Sequence, residues 1–240
     1  MDTYDMCNEL GDRAENEDSV DVYESYNRQF FFLADGLGGH GYGKEASASV
    51  IEHGKMCVEK YRNEDMIHCI GSIFYEGNER LKEIQKKAGK EGTMRTTLVV
   101  CAVEDHQVWI AHIGDSRGYV FQKRKVRHRT IDHSVPQLLA LSGEIKEEEI
   151  RRHPDRNRLL RCLGDEKEIP DFDVVGPFSI EKGMAILLCS DGFWENITER
   201  EMSRSLWRTR SSASWIGLMK KKIQKEKQDK DNYSAIAIRF

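Results

Sequence analysis

Runs of apolar residues recur along the chain, separated by short polar stretches, and they predict β-strands. Several runs come in pairs with short connections, such as Thr96–Val103 and Val108–Ile113. This spacing favours antiparallel hairpins over an alternation of strands and helices. The predicted strands are Asp18–Tyr23, Gln29–Ala34, Thr96–Val103, Val108–Ile113, Gly118–Gln122, Lys125–Thr130, Asp173–Pro177, Met184–Ser190 and Ser234–Arg239.

Apolar residues three or four positions apart predict helices in other parts of the chain. In the second of these helices, Ile70, Phe74 and Leu81 follow this spacing. The predicted helices are Gly43–Tyr61, Met66–Ala88, Glu199–Arg208 and Ala213–Lys227. Many antiparallel strands with a few amphipathic helices predict an α+β fold, in which helices cover the sheets.

The segment 132–170 differs from the rest because it is polar, poor in predicted strands and dense in charge. We interpret it as a short helical flap inserted into a single domain that spans residues 1–240. Its basic residues are Arg151, Arg152, Arg156, Arg158 and Arg161. They either influence the choice of substrate or form a solvated helical face, and the sequence leaves both readings open.

Composition narrows the class of protein. The chain has 240 residues, 39% hydrophobic content, a formal net charge of −4 and a mean hydropathy of −0.64. This length and apolar content suit a folded domain with a real core, and they exclude a disordered chain. No apolar run is long enough to span a bilayer, and the first residues do not resemble a signal peptide. We therefore expect a cytoplasmic protein with reduced thiols, no membrane insertion and no general affinity for nucleic acid.

Aspartates stand at the edges of several apolar strands. They are Asp18, Asp35, Asp115, Asp191 and Asp231; glycine directly follows Asp35 and Asp191 and stands three residues after Asp115. Carboxylates gathered at strand ends repel one another unless a cation is present, and hard oxygen ligands favour Mg²⁺ or Mn²⁺. The pattern favours a metal site, although Asp-Gly turns at strand ends would produce part of it.

Two further residues have side chains suited to phosphate chemistry. His40 lies in the glycine-rich loop that follows Asp35, where it either protonates a leaving group or has no role. Arg13 precedes Asp18 by five residues, and its guanidinium suits a phosphate dianion. The loop GLGGHGYG lacks the P-loop pattern, and no β-α-β unit surrounds it, so nucleotide binding is disfavoured.

Short motifs in a fixed order along nearly the whole chain carry a resemblance to a known family. They are RAENED (13–18), DGLGGH (35–40), RTTLVV (95–100), GDSRGY (114–119), DHS (132–134), LLRCLG (159–164), SDG (190–192) and DN (231–232). The set resembles the metal-dependent, type 2C protein Ser/Thr phosphatases in their compact bacterial form. This resemblance implies a four-layer αββα sandwich, in which helix pairs flank two antiparallel sheets and a flap is inserted.

The resemblance also implies a set of metal ligands. Asp35 would bridge two Mn²⁺ or Mg²⁺ ions, Asp191 and Asp231 would complete the first ion, and the Gly36 carbonyl would help to hold the second. Asp18 would order water around the second ion, with Glu17 as a further candidate for that role.

Further roles follow from the same resemblance. Asp115, with Asp191, would hold a weaker third ion, and Arg13 would bind the phosphate. A hydroxide bridging the metals would attack phosphorus directly, without a phospho-enzyme. The implied partners are phosphorylated proteins and a bacterial Ser/Thr kinase whose action the protein opposes, and a monomer is expected.

Two positions depart from the family pattern. Leu37 stands where some eukaryotic members carry a histidine, so His40 is the candidate substitute. Arg95 stands where the family usually has glycine. An alternative function is a catalytically weak regulatory or binding module of the same fold. A metal-dependent nuclease is disfavoured by the acidic charge and by the ordered motifs.

Overall fold

Two antiparallel sheets lie face to face in the computed structural model, which describes residues 3–38, 42–165, 170–225 and 230–240. The strands are β1 Thr3–Glu9, β2 Asp18–Ser25, β3 Arg28–Leu37, β4 Arg95–Thr96, β5 Leu98–Glu104, β6 Gln107–Ile113, β7 Arg117–Gln122, β8 Lys125–Arg129, β9 Asp173–Ser179, β10 Ala185–Cys189 and β11 Tyr233–Arg239. One sheet has the order β1-β11-β10-β7-β8. The other has the order β2-β3-β5-β6-β9, and β4 pairs with the end of β3.

Helices cover the outer face of each sheet. They are α1 Tyr42–Lys60, α2 Met66–Ala88, α3 Val135–Ser142, α4 Asp191–Trp194, α5 Glu199–Arg208 and α6 Ser212–Ile223, with a 3-10 helix at Glu147–Arg152. Helices α1 and α2 pack on the β2-to-β9 sheet, and α5 and α6 pack on the other. The helix α2 begins at Asp65, whose side chain accepts from the His68 N–H, and ends at Gly89 in the left-handed conformation.

Three apolar layers hold the molecule together, and β3 contributes to two of them. Phe30 and Phe32 point toward α1 and α2, whereas Phe31 and Leu33 point toward the opposite sheet. Successive side chains of a strand face opposite sides, so a strand buried on both faces needs a continuous apolar run. Trp215 of α6 fills the third layer. The predicted α+β, four-layer αββα sandwich is confirmed.

Strand β1 was not expected from the sequence. Its residues are mostly polar and exposed, and Cys7 alone among them is buried. The strand forms because its backbone pairs with β11 along the edge of the sheet, from Thr3 opposite Arg239 to Glu9 opposite Tyr233. An edge strand of this kind needs few apolar side chains, so hydrophobic periodicity does not reveal it.

The segment 132–170 leaves and re-enters the sandwich beside the strands. Ser134 pairs with Leu159, and Leu163 pairs with Thr96, so both ends of the segment are tied to the body. Between them lie α3 and the 3-10 helix. The last predicted helix ends earlier than expected, at Ile223, and residues 226–229 lie outside the described part of the chain.

All six cysteines are buried. Among the residues described, no helix has the length and apolar character needed to cross a membrane.

Candidate functional site

The strand-end aspartates meet at one end of the sandwich. Asp18 and Asp35 lie opposite each other in the pairing of β2 with β3. Asp191 lies two residues after β10, at the start of α4, Asp231 lies two residues before β11, and Asp115 lies in the turn between β6 and β7. A cavity of about 390 Å³ forms among them. Its wall includes Arg13, Glu17, Asp35, Gly36, Asp115, Asn157, Asp191 and Asp231.

Asp18 lies buried behind this wall and links the two sheets. Its Oδ2 accepts a hydrogen bond of 2.8 Å from the Ser190 hydroxyl, and the same hydroxyl accepts one of 2.9 Å from the Ser234 N–H. Its Oδ1 is buried with no hydrogen-bond partner among the described residues. An ionised carboxylate oxygen in that position lacks compensation, which is the condition that a nearby cation or an ordered water would relieve.

Threonines hold the backbone around Asp35. The Asp35 N–H donates to the Thr97 hydroxyl at 3.0 Å, and the Asp35 carbonyl accepts from the Thr96 hydroxyl at 2.9 Å. Thr97 Oγ1 also lies 2.8 Å from the Ser116 hydroxyl oxygen, next to Asp115. The RTTLVV motif thus positions two of the aspartates. The sequence contains this motif, but its spacing alone does not reveal the role of the hydroxyls.

Asn232 clamps the loop that carries Arg13. Its Oδ1 accepts from the Glu17 N–H at 2.9 Å, and its Nδ2 donates to the carbonyls of Leu10 and Glu15 at 2.8 and 3.0 Å. The adjacent Asp231 accepts a 2.7 Å hydrogen bond from Arg13 Nη2. The Arg13 side chain remains 57% exposed, so its guanidinium lies at the mouth of the cavity and is open to solvent.

Gly36 lets the start of α1 approach Asp35. A Cβ atom at this position would lie 2.0 Å from the Gly43 carbonyl oxygen and 2.8 Å from that of Glu17. The Gly36 N–H donates to the Glu17 carbonyl at 3.1 Å. A larger residue would therefore push α1 away from the cavity.

Burial and mutual repulsion raise the pKa values of the clustered carboxyls. Burial raises the pKa of Asp35 well above its usual range, and the neighbouring charges of Asp18, Asp191 and Asp115 raise it further. Burial first and then Asp191 raise the pKa of Asp115, and burial first and then Asp231 raise that of Asp191. Burial raises the pKa of Asp18 from 3.8 to about 7.

This set of residues fits divalent cations. Arg13 is the single cationic side chain among the described residues that line the cavity. The donors are carboxylate oxygens, which hard ions such as Mg²⁺ and Mn²⁺ prefer. A bound cation would supply the partner that the buried Asp18 Oδ1 lacks, and it would offset the burial and the neighbouring charges that raise the pKa of Asp35.

A buried ion pair supports one side of the cavity. Arg117 donates from Nε and Nη2 to the two carboxylate oxygens of Asp132 at 2.8 and 2.6 Å, and both side chains are 1% exposed. The guanidinium lies 3.4 Å from the ring centroid of Trp194, and the Trp194 indole donates to the Asp115 carbonyl at 2.9 Å. These contacts connect the start of the flap to α4 and to Asp115.

His133 fixes the first residues of the flap. Its backbone N–H donates to the Gly114 carbonyl at 2.9 Å, and its Nδ1 accepts from the Gly114 N–H at 3.2 Å. Its Nε2 lies 3.2 Å from Asp173 Oδ2. These contacts order the turn at which the flap begins.

The flap arginines do not form one exposed cluster. Arg151 is largely buried and donates to Glu199 at 2.6 Å and to the Ile197 carbonyl at 3.1 Å. Arg156 pairs with Glu195 at 3.2 Å. Arg152 is exposed, and with these two arginines it lines a second cavity of about 500 Å³ that shares Arg13, Asn157, Asp191 and Asp231 with the first.

The other two flap arginines pair with aspartates. Arg158 lies 3.5 Å from Asp155 and is 68% exposed, and Arg161 lies 3.1 Å from Asp171. His40 lies outside the described residues. Arg95 is exposed in β4, where it pairs with Leu37.

Comparisons with known proteins agree with this geometry. The family described as Protein phosphatase 2C matches residues 9–225. The serine/threonine phosphatase stp of Listeria monocytogenes is 34% identical over 199 residues, which make up 81% of this chain and 78% of that protein.

Solved structures of similar proteins share the fold. The serine/threonine phosphatase Stp1 of Staphylococcus aureus superposes with a TM-score of 0.84 at 27% identity, over 100% of this chain and 95% of that one. The catalytic domain of the serine threonine protein phosphatase PstP, in complex with two manganese ions, has a TM-score of 0.78 at 25% identity. That superposition covers 99% of this chain and 97% of the other.

Replacing Asp35 with asparagine should stabilise the cation-free protein. The substitution removes one charge from a buried, repulsive cluster, so we expect a gain of about 1 kcal/mol, or about 2–4 °C in melting temperature. A carboxyl whose pKa is raised by folding binds more protons in the folded state, and its cost to stability therefore grows as pH rises above the unfolded pKa. The gain measured in EDTA should accordingly be larger at pH 8 than at pH 5. The exposed Glu91→Gln is the matched control, and a lower melting temperature for Asp35→Asn at pH 8 would contradict the repulsion.

The buried ion pair should be needed for stability. Asp132→Asn removes the bidentate countercharge of the buried Arg117 guanidinium and leaves it the partly exposed Glu199, 3.6 Å away, so we expect a loss of about 3 kcal/mol in the free energy of unfolding. Asp155→Asn, which breaks the exposed pair with Arg158, should cost less than about 1 kcal/mol. Urea denaturation of both variants measures the difference. Equal losses would mean that the buried pair has no special weight.

Proposed function

Because the chain belongs to the protein phosphatase 2C family, we propose that it is a Mn²⁺- or Mg²⁺-dependent protein serine/threonine phosphatase that hydrolyses phosphoserine and phosphothreonine directly, without a phospho-enzyme intermediate. Membership of the family makes it a metal-dependent phosphoprotein phosphatase. The observation that carries the finer proposal is the ring of buried aspartates around a cavity whose mouth holds one exposed arginine.

We propose that Asp35, Asp191 and Asp231, with the Gly36 carbonyl, hold two divalent cations. Asp18, which is buried behind these residues, would order water around the second cation. Asp115, with Asp191, would hold a third cation. These positions support the assignment because the carboxylates line or adjoin one cavity. Burial, and after it the charge of neighbouring carboxylates, raises the pKa values of Asp18, Asp35, Asp115 and Asp191. When bound, such cations lower the pKa of water, which makes a nucleophile available, and they stabilise negative charge on phosphoryl oxygens.

Arg13 is proposed to bind the phosphoryl group of the substrate. Its planar guanidinium presents paired N–H donors that match two phosphate oxygens. In the structure it donates to Asp231, a proposed ligand, and it is exposed enough to turn toward an incoming phosphate. The contact with Asp231 places the guanidinium next to a proposed cation ligand. A phosphate bound by Arg13 would therefore have its oxygens close to a cation held by Asp231. His40 stays the candidate proton donor for the leaving alkoxide, as proposed from the sequence.

The proposed substrates are phosphorylated proteins, and a Ser/Thr kinase of the same cell would supply them. We propose that the protein acts as a monomeric single domain and that residues 132–170 form a substrate-selecting flap. The alternative, a catalytically weak regulatory module, is disfavoured because every proposed ligand position retains its carboxylate.

Activity measurements test the proposal directly. The protein should release phosphate from a phosphothreonine peptide with Mn²⁺ and not with EDTA. Asp191→Ala and Asp231→Ala should each lower kcat by at least about 10²-fold, the scale of losing one element of transition-state stabilisation. The exposed Glu91→Gln should keep full activity. Release that does not depend on the cation would refute the proposal, and retained activity in Asp191→Ala would refute the ligand assignment.

The two exposed flap arginines, Arg152 and Arg158, should affect the binding of phosphopeptides and not the turnover of small substrates. Arg152 and Arg158 are exposed, so their replacement by alanine should raise KM for a phosphopeptide about 3–10-fold without changing turnover of a small aryl phosphate. Arg62→Ala, a distant exposed arginine on the α1–α2 connection, is the control. Equal losses on both substrates would show that these arginines do not contribute to substrate choice.

A further inference from the structure

A second group of metal-ligating side chains lies on the outer helix layer, among residues outside the aspartate cavity. His53 and Cys57 are one helical turn apart on α1, and Glu76 faces them from α2. One ligand atom from each of the three lies within 4.8 Å of the other two, and His53 Nε2 is 3.5 Å from Glu76 Oε2. Ligand atoms around a single small cation are separated by similar distances, since metal–ligand bonds of about 2.0–2.3 Å span a tetrahedron.

The histidine in this group is not satisfied by the protein. His53 Nε2 is buried and has no hydrogen-bond partner among the described residues. Buried ring nitrogens are normally hydrogen-bonded, so this atom indicates a missing partner. The neutral imidazole nitrogen is also a common metal ligand.

The carboxylate of Glu76 has two neighbours on its other side. Tyr61 donates its hydroxyl to Oε1, and Lys60 Nζ lies 3.0 Å from Oε1 and 3.1 Å from Oε2. The Lys60 side chain is 59% exposed and can move into solvent, whereas the tyrosine contact leaves Oε2 directed at His53. The tyrosine therefore orients the carboxylate in the way that outer hydrogen bonds orient metal ligands.

An open cavity adjoins the group. This cavity of about 270 Å³ is lined by His53 and Glu76, and its other walls include Glu79, Arg80 and Glu83. Glu83 lies 3.5 Å from Arg80 and Glu79 lies 3.3 Å from Lys82, so the charges of these two carboxylates are paired and the three ligand side chains themselves must attract the cation. The cavity also gives a fourth coordination position access to water.

We propose that His53, Cys57 and Glu76 form a zinc site that braces α1 against α2, separate from the aspartate cavity. One nitrogen, one sulfur and one oxygen donor suit Zn²⁺, which accepts all three, and disfavour Mg²⁺, which requires oxygen ligands. The site has three protein ligands and an open fourth position. The bridged helices include the one whose first turn contains Gly43, in contact with Gly36 at the aspartate cavity.

Zinc binding at this site must displace a proton. Burial, with the nearby Glu76 charge, raises the pKa of the Cys57 thiol to about 12, so the free protein holds the protonated form at neutral pH. The thiolate is the form that binds the metal. The S–H bond therefore breaks as the S–Zn bond forms, one proton passes to the solvent or buffer, and affinity strengthens as pH rises.

Cobalt(II) alone is a suitable probe because a thiolate–Co²⁺ bond gives a charge-transfer absorption in the near ultraviolet. Carboxylates and water give no such band, so the aspartate cavity stays silent. We expect the band in the unmodified protein at pH 8, weaker at pH 6, and abolished by one equivalent of Zn²⁺ that remains bound. Cys57→Ser and His53→Gln should each lose the band, and Cys7→Ser, which removes a buried thiol of β1, should retain it.

Circular dichroism should confirm that each variant is folded, and Glu76→Gln replaces any variant that is not. No band in the unmodified protein would overturn the proposal. A band that survives in Cys57→Ser or in His53→Gln would overturn it as well, because the sulfur or the imidazole would then lie elsewhere. Phosphate release with Mn²⁺ is measured separately, so failure of the zinc site leaves the proposed function untouched.

Discussion

Mutual repulsion among buried carboxylates is the constraint on which the architecture of this protein depends. Asp18, Asp35, Asp115 and Asp191 lie in a low-dielectric environment where each raises the pKa of others, after burial itself. A flexible chain would separate such groups. The strand ends prevent this. Asp35, Asp115, Asp191 and Asp231 lie in, or within two residues of, strands that pair on both sides, and Asp18 lies in the edge strand β2, which pairs with β3. The two-sheet core thus supplies the rigidity that the site requires.

Neutral hydrogen-bonding groups hold the aspartates in place without neutralising them. Serine and threonine hydroxyls contact Asp18 and the backbone of Asp35, and the Asn232 amide fastens the loop that carries Arg13. The strong positive charge of Arg117 is instead directed away from the cavity, into a bidentate pair with Asp132. The guanidinium of Arg117 also contacts the Trp194 ring, and the Trp194 indole donates to the Asp115 carbonyl. The ion pair therefore helps to position the Asp115 backbone. The negative potential of the cavity is therefore preserved for cations.

Hydrophobic periodicity predicted antiparallel strands and the long helices, and the aspartates at the ends of apolar runs favoured a metal site, whereas the two-sheet sandwich was implied by the family resemblance. Hydrophobic periodicity did not reveal β1, whose formation depends on backbone pairing at a sheet edge. The sequence also did not distinguish the flap arginines from one another, whereas in the structure Arg151 packs inward against Glu199 and Trp194. The group of His53, Cys57 and Glu76 was not visible in the sequence, because it arises only from the way α1 packs against α2. Local sequence patterns predict individual helices and strands, whereas the contacts between them can be seen only in the folded structure.

The pairing of Arg13 with Asp231 connects the two halves of the proposed chemistry. The Asp231 carboxylate attracts the Arg13 guanidinium, so a phosphate must compete with this carboxylate for the same N–H donors. On the proposed assignment, a cation held by Asp231 would weaken that attraction, so the arginine would turn to the phosphate at lower cost. Binding energies linked in this way are reciprocal, which means that phosphate would strengthen cation binding by the same factor. On the proposed ligand set, then, an acidic cavity that repels phosphate when empty becomes one that attracts it once cations are bound, and the exposed arginine responds to that change.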